Sequence, residues 1–216
     1  MLVDWQQISG ALWETTIMVI VSLLFAAIIG LPLGILLVVT RKGHLWENKI
    51  VFTILNAIVN IFRSIPFIIL MVAIIPFTRL VVGTSIGTAA AIVPMILFSG
   101  PYIARLIESS LLEVDPGVMD AAQSMGATPV QIITRFLIPE ALSSLMLGLT
   151  IATIGLVGAS AMAGAVGGGG LGDLAITFGY QRFDTIVMLI TVGILVIMVQ
   201  GLQSAGNILS KKIRRR

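Results

Sequence analysis

Long apolar runs separated by short polar stretches dominate the chain. Five of them come near the roughly 20 residues that a helix needs to cross a hydrocarbon core of about 30 Å. They are residues 16–39, about 59–80, 87–107, 142–162 and 186–208. The second is the weakest, because Arg63 and Ser64 interrupt it and the stretch from Pro66 to Phe77 is too short to span alone. From Glu47 to Arg63 the pattern turns amphipathic. Ile50, Ile54, Ile58 and Ile61 recur at spacings of four, four and three, with Lys49, Thr53, Asn56, Asn60 and Arg63 on the opposite stripe. This predicts a helix that begins at the membrane surface and continues into the second span, with Asn60 and Arg63 turned toward protein or water.

Glycine and proline shape the spans. In the first, Gly30-Leu31-Pro32-Leu33-Gly34 combines a small pair four residues apart, which lets another helix approach closely, with a proline that bends the helix. In the third, Pro94 and Gly100-Pro101 predict a bent or broken helix. Such irregularity is tolerated in a membrane only against protein or an aqueous cavity, which argues that this helix lines a path. The fourth span and the loop after it read GLVGASAMAGAVGGGGLGD, where small residues predict close helix packing and the glycine run a turn. Three polar or flexible groups each carry two readings. Arg63 either snorkels at the interface or lines the pathway, Met162 either gates it or fills a gap, and Ser160 either faces it or packs between helices.

Composition sets the class. With 57% hydrophobic and 11% charged residues the chain lies outside the range of soluble domains, roughly 45–50% and about 25%, and reads as a polytopic membrane protein. The absence of cysteine excludes disulfides and thiolate metal sites, and the single histidine, His44, excludes a histidine cluster. No cofactor is expected. Gly167, Gly169 and Gly172 have the dinucleotide-binding spacing but lack the strand and βαβ unit that spacing requires. None of Lys42, Lys49, Lys211 and Lys212 follows a glycine, so there is no phosphate-binding loop, and no catalytic constellation is visible. The chain is read as not an enzyme.

Charge decides orientation. Arg41, Lys42, Lys49, Arg63, Arg105, Arg135, Lys211, Lys212, Arg214, Arg215 and Arg216 fall on one side of the five spans, and only Arg79 and Arg182 on the other. Lys and Arg accumulate on the cytoplasmic side, so the N-terminus is placed outside and the C-terminus in the cytoplasm. The first run exceeds signal-peptide length with no small-residue cleavage site close behind, and reads as an uncleaved span. The terminal KKIRRR follows a span directly. It reads as an anchor against anionic lipid headgroups and not as a nucleic-acid tail.

Between the third and fourth spans, within a loop of about 111–140, lies DAAQSMGATPVQIITRFLIP, residues 120–139. Its order predicts two short helices at an elbow. Asp120, Ala121 and Ala122 fall in the first and Gly126 makes the turn. Thr128 caps the second with Gln131 completing a capping box, Pro129 occupies the first helical position and Pro139 acts as a stop. This run resembles the cytoplasmic loop of ATP-binding-cassette importer permeases, with Asp120 in place of the family's Glu, Phe136 in place of Ile and Ile138 in place of Leu. The resemblance implies that the loop docks into a separate ATPase subunit.

Further stretches, NIFRSIPFIIL (60–70), IPFTRLVVGTSIG (75–87), AAIVP (90–94) and AMAGAVGGGGLG (161–172), are similar to bacterial methionine-import permeases. That likeness implies one permease domain over 1–216, a permease homodimer, an ATPase homodimer on its cytoplasmic face and an extracytoplasmic methionine-binding protein. The expected fold is an all-α integral membrane protein of five transmembrane helices with a cytoplasmic coupling loop, in the cytoplasmic membrane of a bacterium. Import of another amino acid or a small dipeptide, or a non-transporting scaffold that recruits the ATPase, stays open at this point.

Overall fold

The structure, a computed structural model, describes residues 3–214. Among these the regular elements are all helical: α1 (Trp5–Val39), α2 (Lys49–Ser64), α3 (Phe67–Ala73), α4 (Ile75–Val82), α5 (Thr88–Leu112), α6 (Pro116–Ser124), α7 (Pro129–Gln131), α8 (Ile138–Gly164), α9 (Gly170–Leu174) and α10 (Thr185–Arg214). Two π-helical segments, Ile132–Leu137 and Ala175–Gln181, are inserted before α8 and after α9. Four helical stretches, α1, α5, Pro129–Gly164 and α10, are long and apolar enough to cross a membrane. A fifth crossing requires α2 and α3 together, and these meet at a bend of 100°.

That bend corrects the expectation of a continuous second span over about 59–80. A proline disfavours helical backbone in the residue before it. Ile65 accordingly leaves the helix at φ −85° and ψ 121°, and Pro66 starts α3 in a new direction. A second break at Ile74 separates α3 from α4. Three other prolines do not break their helices. Pro32 lies inside an unbroken α1, and Pro94 and Pro101 inside an unbroken α5. Both α5 prolines are buried, and α5 is the most enclosed of the long helices, so packing from several neighbours offsets the two missing hydrogen bonds.

Pro139 does not stop a helix either, since the chain is helical from Pro129 through Gly164. In the π-helical turn ahead of it the Ile138 N–H donates to the carbonyl of Ile133, five residues back, so the wider turn meets the proline where its N–H is not needed.

The long helices start and stop where capping chemistry allows. α1 begins well before the apolar run. The Asp4 side chain accepts from the Gln7 N–H at 2.8 Å while the Asp4 N–H donates to Gln7 Oε1 at 3.1 Å. α10 continues past its apolar run through Lys211, Lys212 and Arg214, whose charges complement a helix C-terminus. Arg215 and Arg216, counted above on the cytoplasmic side, lie outside the described residues.

α1 and α5 form the central pair, and the glycines of α1 explain their closeness. A Cβ at Gly30 would lie 2.8 Å from the Gly100 carbonyl oxygen, and one at Gly34 would lie 2.7 Å from that of Ala104. α8 packs on α5, and α10 packs on α8. Not every small residue of the fourth span serves packing. Gly148 does touch Leu106, but a Cβ added at Gly155 or Gly158 would meet nothing within 4 Å.

The two ends of the bundle differ in chemistry. At one end Glu14 of α1 accepts from the Gly170 N–H at 2.7 Å and Thr15 Oγ1 accepts from the Leu171 N–H at 2.9 Å. There the Gly87 N–H also donates to the Gly167 carbonyl at 2.8 Å, which staples the glycine turn between α1 and α5. At the other end Glu108, 3% exposed, pairs with Arg105 and with Arg41, 3.8 Å away at the end of α1. The Arg105 guanidinium also donates to Asn56 Oδ1 at 2.8 Å and Asn60 Oδ1 at 2.7 Å, joining α2 to α5. Asn56 and Asn60 of the polar stripe thus meet α5, while Lys49, Thr53 and Arg63 stay exposed; α2 packs on the body through Val59, Phe52 and Leu55, and Ile50 and Ile61 are 72% and 60% exposed.

Candidate functional site

Two regions gather the predicted site residues. The first is the elbow between α5 and α8. Asp115 Oδ1 accepts from the Gly117 N–H at 2.7 Å and opens α6, with Pro116 at the first position. The helix ends at Gly126, whose φ of +76° is the left-handed conformation that glycine adopts without strain. The Gly126 N–H donates to the Gln123 carbonyl at 2.9 Å and the Ala127 N–H to the Ala122 carbonyl at 3.1 Å, which is the Schellman arrangement. Thr128 then caps the next helix. Its Oγ1 accepts from the Gln131 N–H at 3.4 Å, its own N–H donates to Gln131 Oε1 at 2.9 Å, and Pro129 occupies the first position.

The elbow thus folds locally as the residue pattern predicts. It is held to the body of the protein by Val114 and Leu137, which are buried in the α1–α5–α8 core with Val118 and Met119 packed against them. Its outward face differs in one respect from the sequence reading. Asp120, Ala121, Gly126, Thr128 and Pro139 are exposed and Pro129 is half-buried, but Ala122 is fully buried inside the elbow. A group there cannot touch a partner directly. Instead Met125, 70% exposed, and Val130, 57% exposed, stand on either side of Gly126. These two were not singled out from sequence, although an apolar side chain flanking a polar glycine turn is the available signal.

The second region is a cleft of about 540 Å³ between the α2–α3 junction, α5 and α8. Arg63, Pro66, Phe98, Gly155, Gly158 and Met162 are among its walls. Phe98 makes an edge-to-face pair with buried Phe67, with ring centroids 5.3 Å apart. The structure therefore brings Arg63 and Met162 together. Ser160 is elsewhere: it is 1% exposed, and its hydroxyl donates to the Val157 carbonyl of its own helix at 2.7 Å. Among the described residues no cluster of His, Cys, Asp or Glu is arranged to hold a metal ion.

Long apolar helices around a packed small-residue core, with a rigid, capped helical elbow presented at the basic end, are the architecture of a membrane component of a transport system. Residues 30–215 match the family described as "Binding-protein-dependent transport system inner membrane component", and the chain belongs to it. It is 52% identical over 206 residues to the probable D-methionine transport system permease protein MetI of Vibrio cholerae, covering 95% of this chain and 92% of the relative. It is 47% identical to the corresponding protein of Pasteurella multocida, covering 98% of each. A solved structure of inward facing conformations of the MetNI methionine ABC transporter superposes with a TM-score of 0.95, at 48% identity and 97% coverage of both chains. An amino acid ABC transporter crystallised with histidines shares the fold, with a TM-score of 0.79 at 18% identity over 98% of this chain and 100% of that chain.

Proposed function

We propose that this chain is the membrane-spanning permease of an ABC importer that carries methionine across the cytoplasmic membrane of a bacterium. The observation that carries the reading is the likeness to the methionine transporter structure at 48% identity along nearly the whole of both chains. In this reading two copies of the chain form the permease and a separate ATPase homodimer docks on the elbow. An extracytoplasmic methionine-binding protein delivers substrate at the end that carries Glu14 and the glycine turn. The N-terminus lies outside and the C-terminus inside, in keeping with the segregation of Lys and Arg.

The mechanism follows from a two-state view. Taking an equilibrium between inward-open and outward-open forms from 1:99 to 99:1 requires about 5.5 kcal/mol of differential binding. ATP binding at the partner supplies it, and the polar, capped elbow transmits closure of the ATPase pair. Asp120, Ala121, Gly126, Thr128 and Pro129 with Met125 and Val130 make the contact, and Ala122 supports it from beneath. Arg63 and Met162 line the passage.

The test is uptake of labelled methionine into vesicles that hold ATP inside, with the ATPase and binding protein present. ATP-dependent accumulation is expected. Accumulation of a different amino acid or a dipeptide in its place would reassign the cargo, and no accumulation with all partners present would mark the chain as a scaffold.

A further inference from the structure

We infer that the cleft at Arg63 is a transit site for a free amino acid, with the Arg63 guanidinium anchoring the carboxylate and Phe98 and Met162 receiving a thioether side chain. This rests on the import reading above and names the contact that reading leaves open.

Arg63 is the penultimate residue of α2, two residues before the chain leaves the helix at Ile65, and its side chain is exposed in the cleft. Among the described residues its guanidinium has no hydrogen-bond or ion-pair partner, unlike Arg41 and Arg105, which share Glu108. Arg63 also lies deep along the bundle. The residues opposite it, Phe98 and Gly155, fall within the middle turns of α5 and α8, far from the ends where a snorkelling cation meets headgroups. A cation held at that depth without a protein partner is a site for an anion.

The walls specify the rest of the ligand. No Asp or Glu lines the cleft, so nothing there matches an ammonium group by charge. Phe98, braced by its edge-to-face contact with Phe67, and the flexible Met162 offer the aromatic and thioether surface that a sulfur-containing chain prefers. Gly155 and Gly158 present bare backbone, and a Cβ at either would meet nothing within 4 Å. Packing within the chain does not account for these two glycines, whereas space for a ligand does. One cation without an anion predicts that the carboxylate of the substrate is recognised and its amino group is not.

The test uses the permease–ATPase complex in phosphatidylcholine nanodiscs, labelled with a methionine analogue that carries a diazirine in its side chain, with permease peptides mapped afterwards. Labelling is expected at Phe98 and within residues 155–162. Excess methionine and its 2-hydroxy acid, which keep the carboxylate, should suppress it at least about tenfold, and methioninamide should not. Arg63→Gln should lose the suppressible labelling and Arg63→Lys should retain most of it. Gly158→Leu, whose Cβ meets nothing within 4 Å and whose side chain occupies the cleft, should lose it as well. Equal labelling of wild type and Arg63→Gln, suppression by methioninamide as strong as by methionine, or no labelling of these peptides would overturn the proposal. Labelling abolished by exchange into phosphatidylglycerol nanodiscs would also overturn it, by assigning Arg63 to the net negative headgroup of an anionic lipid. If vesicles import methionine while the labelling ignores Arg63, the site fails and the import reading stands. If no methionine is imported, the import reading itself has failed.

Discussion

Arg105 and Glu108, one turn apart on α5, form an ion pair whose carboxylate is 97% removed from solvent and whose guanidinium reaches across to Asn56 and Asn60 of α2. Breaking a buried pair by removing one member typically costs about 3–5 kcal/mol, and because Arg105 is 24% exposed and keeps its bonds to Asn56 and Asn60, loss of Glu108 should fall at the low end. Glu108→Ala should therefore destabilise the detergent-solubilised protein by that order in thermal unfolding. The double variant Arg105→Met with Glu108→Leu should be less affected than the sum of the single changes.

The closeness of α1 and α5 depends on the missing side chain of Gly34. Gly34→Ala places a Cβ 2.7 Å from both the Ala104 carbonyl and Ile107 Cβ, and overpacking of this kind costs about 1–3 kcal/mol. Gly193→Ala on α10, where a Cβ meets nothing within 4 Å, should leave the unfolding temperature unchanged or raise it slightly. Equal effects at the two positions would refute the packing argument.

Coupling should fail at the elbow before folding does. Gly126→Pro cannot adopt a φ of +76°, and it also removes the N–H that donates to Gln123. ATP-driven uptake should be lost while the protein still inserts and is recovered from membranes at wild-type level. Thr128→Ala removes one cap worth about 1 kcal/mol and should weaken uptake without abolishing it. Wild-type uptake by the Gly126→Pro variant would sink the coupling role.

The His44 imidazole, in the turn between α1 and α2, is held below its usual 6.5 by partial burial and by the nearby Arg41 charge. The folded state therefore binds this proton less tightly than the unfolded chain does. Stability rises with pH, and falls as pH drops through 6.5 toward the lowered folded value, below which the loss is complete. His44→Gln should flatten this part of the profile when unfolding temperature is followed from about pH 5 to 8.

Four of the long helices were legible from apolar run length, because lipid-facing and core-facing positions are both apolar and nothing local opposes the helix. The elbow was legible for a different reason: Thr128, Gln131, Pro129 and Gly126 act within a few residues of one another, so sequence spacing is spatial spacing. Prolines misled. Pro66 breaks a helix as its local effect dictates, while Pro32, Pro94 and Pro101 do not; enclosure by neighbouring helices, which spacing does not reveal, accounts for the α5 pair but not for exposed Pro32. Glu14 meets Gly170 far along the chain and no local pattern points to it, whereas Arg105, three residues from Glu108, and the glycine turn beside Met125 are local signals whose burial or exposure spacing does not reveal. The fourth-span glycines look alike in sequence, yet Gly148 touches Leu106 and Gly158 touches nothing.

The π-helical turn over Ile132–Leu137 carries one residue more than an α-helical path would need, within a helix that otherwise runs unbroken from Pro129 to Gly164. At 3.6 residues per turn, one extra residue rotates everything on its far side by about 100°. The stretch is thus a shaft with a fixed phase offset. The face that meets the bundle along α8 and the face that the elbow presents to its partner are set independently, so deleting a single residue from 132–137 would turn Met125 and Val130 away from their direction without altering a single contact residue.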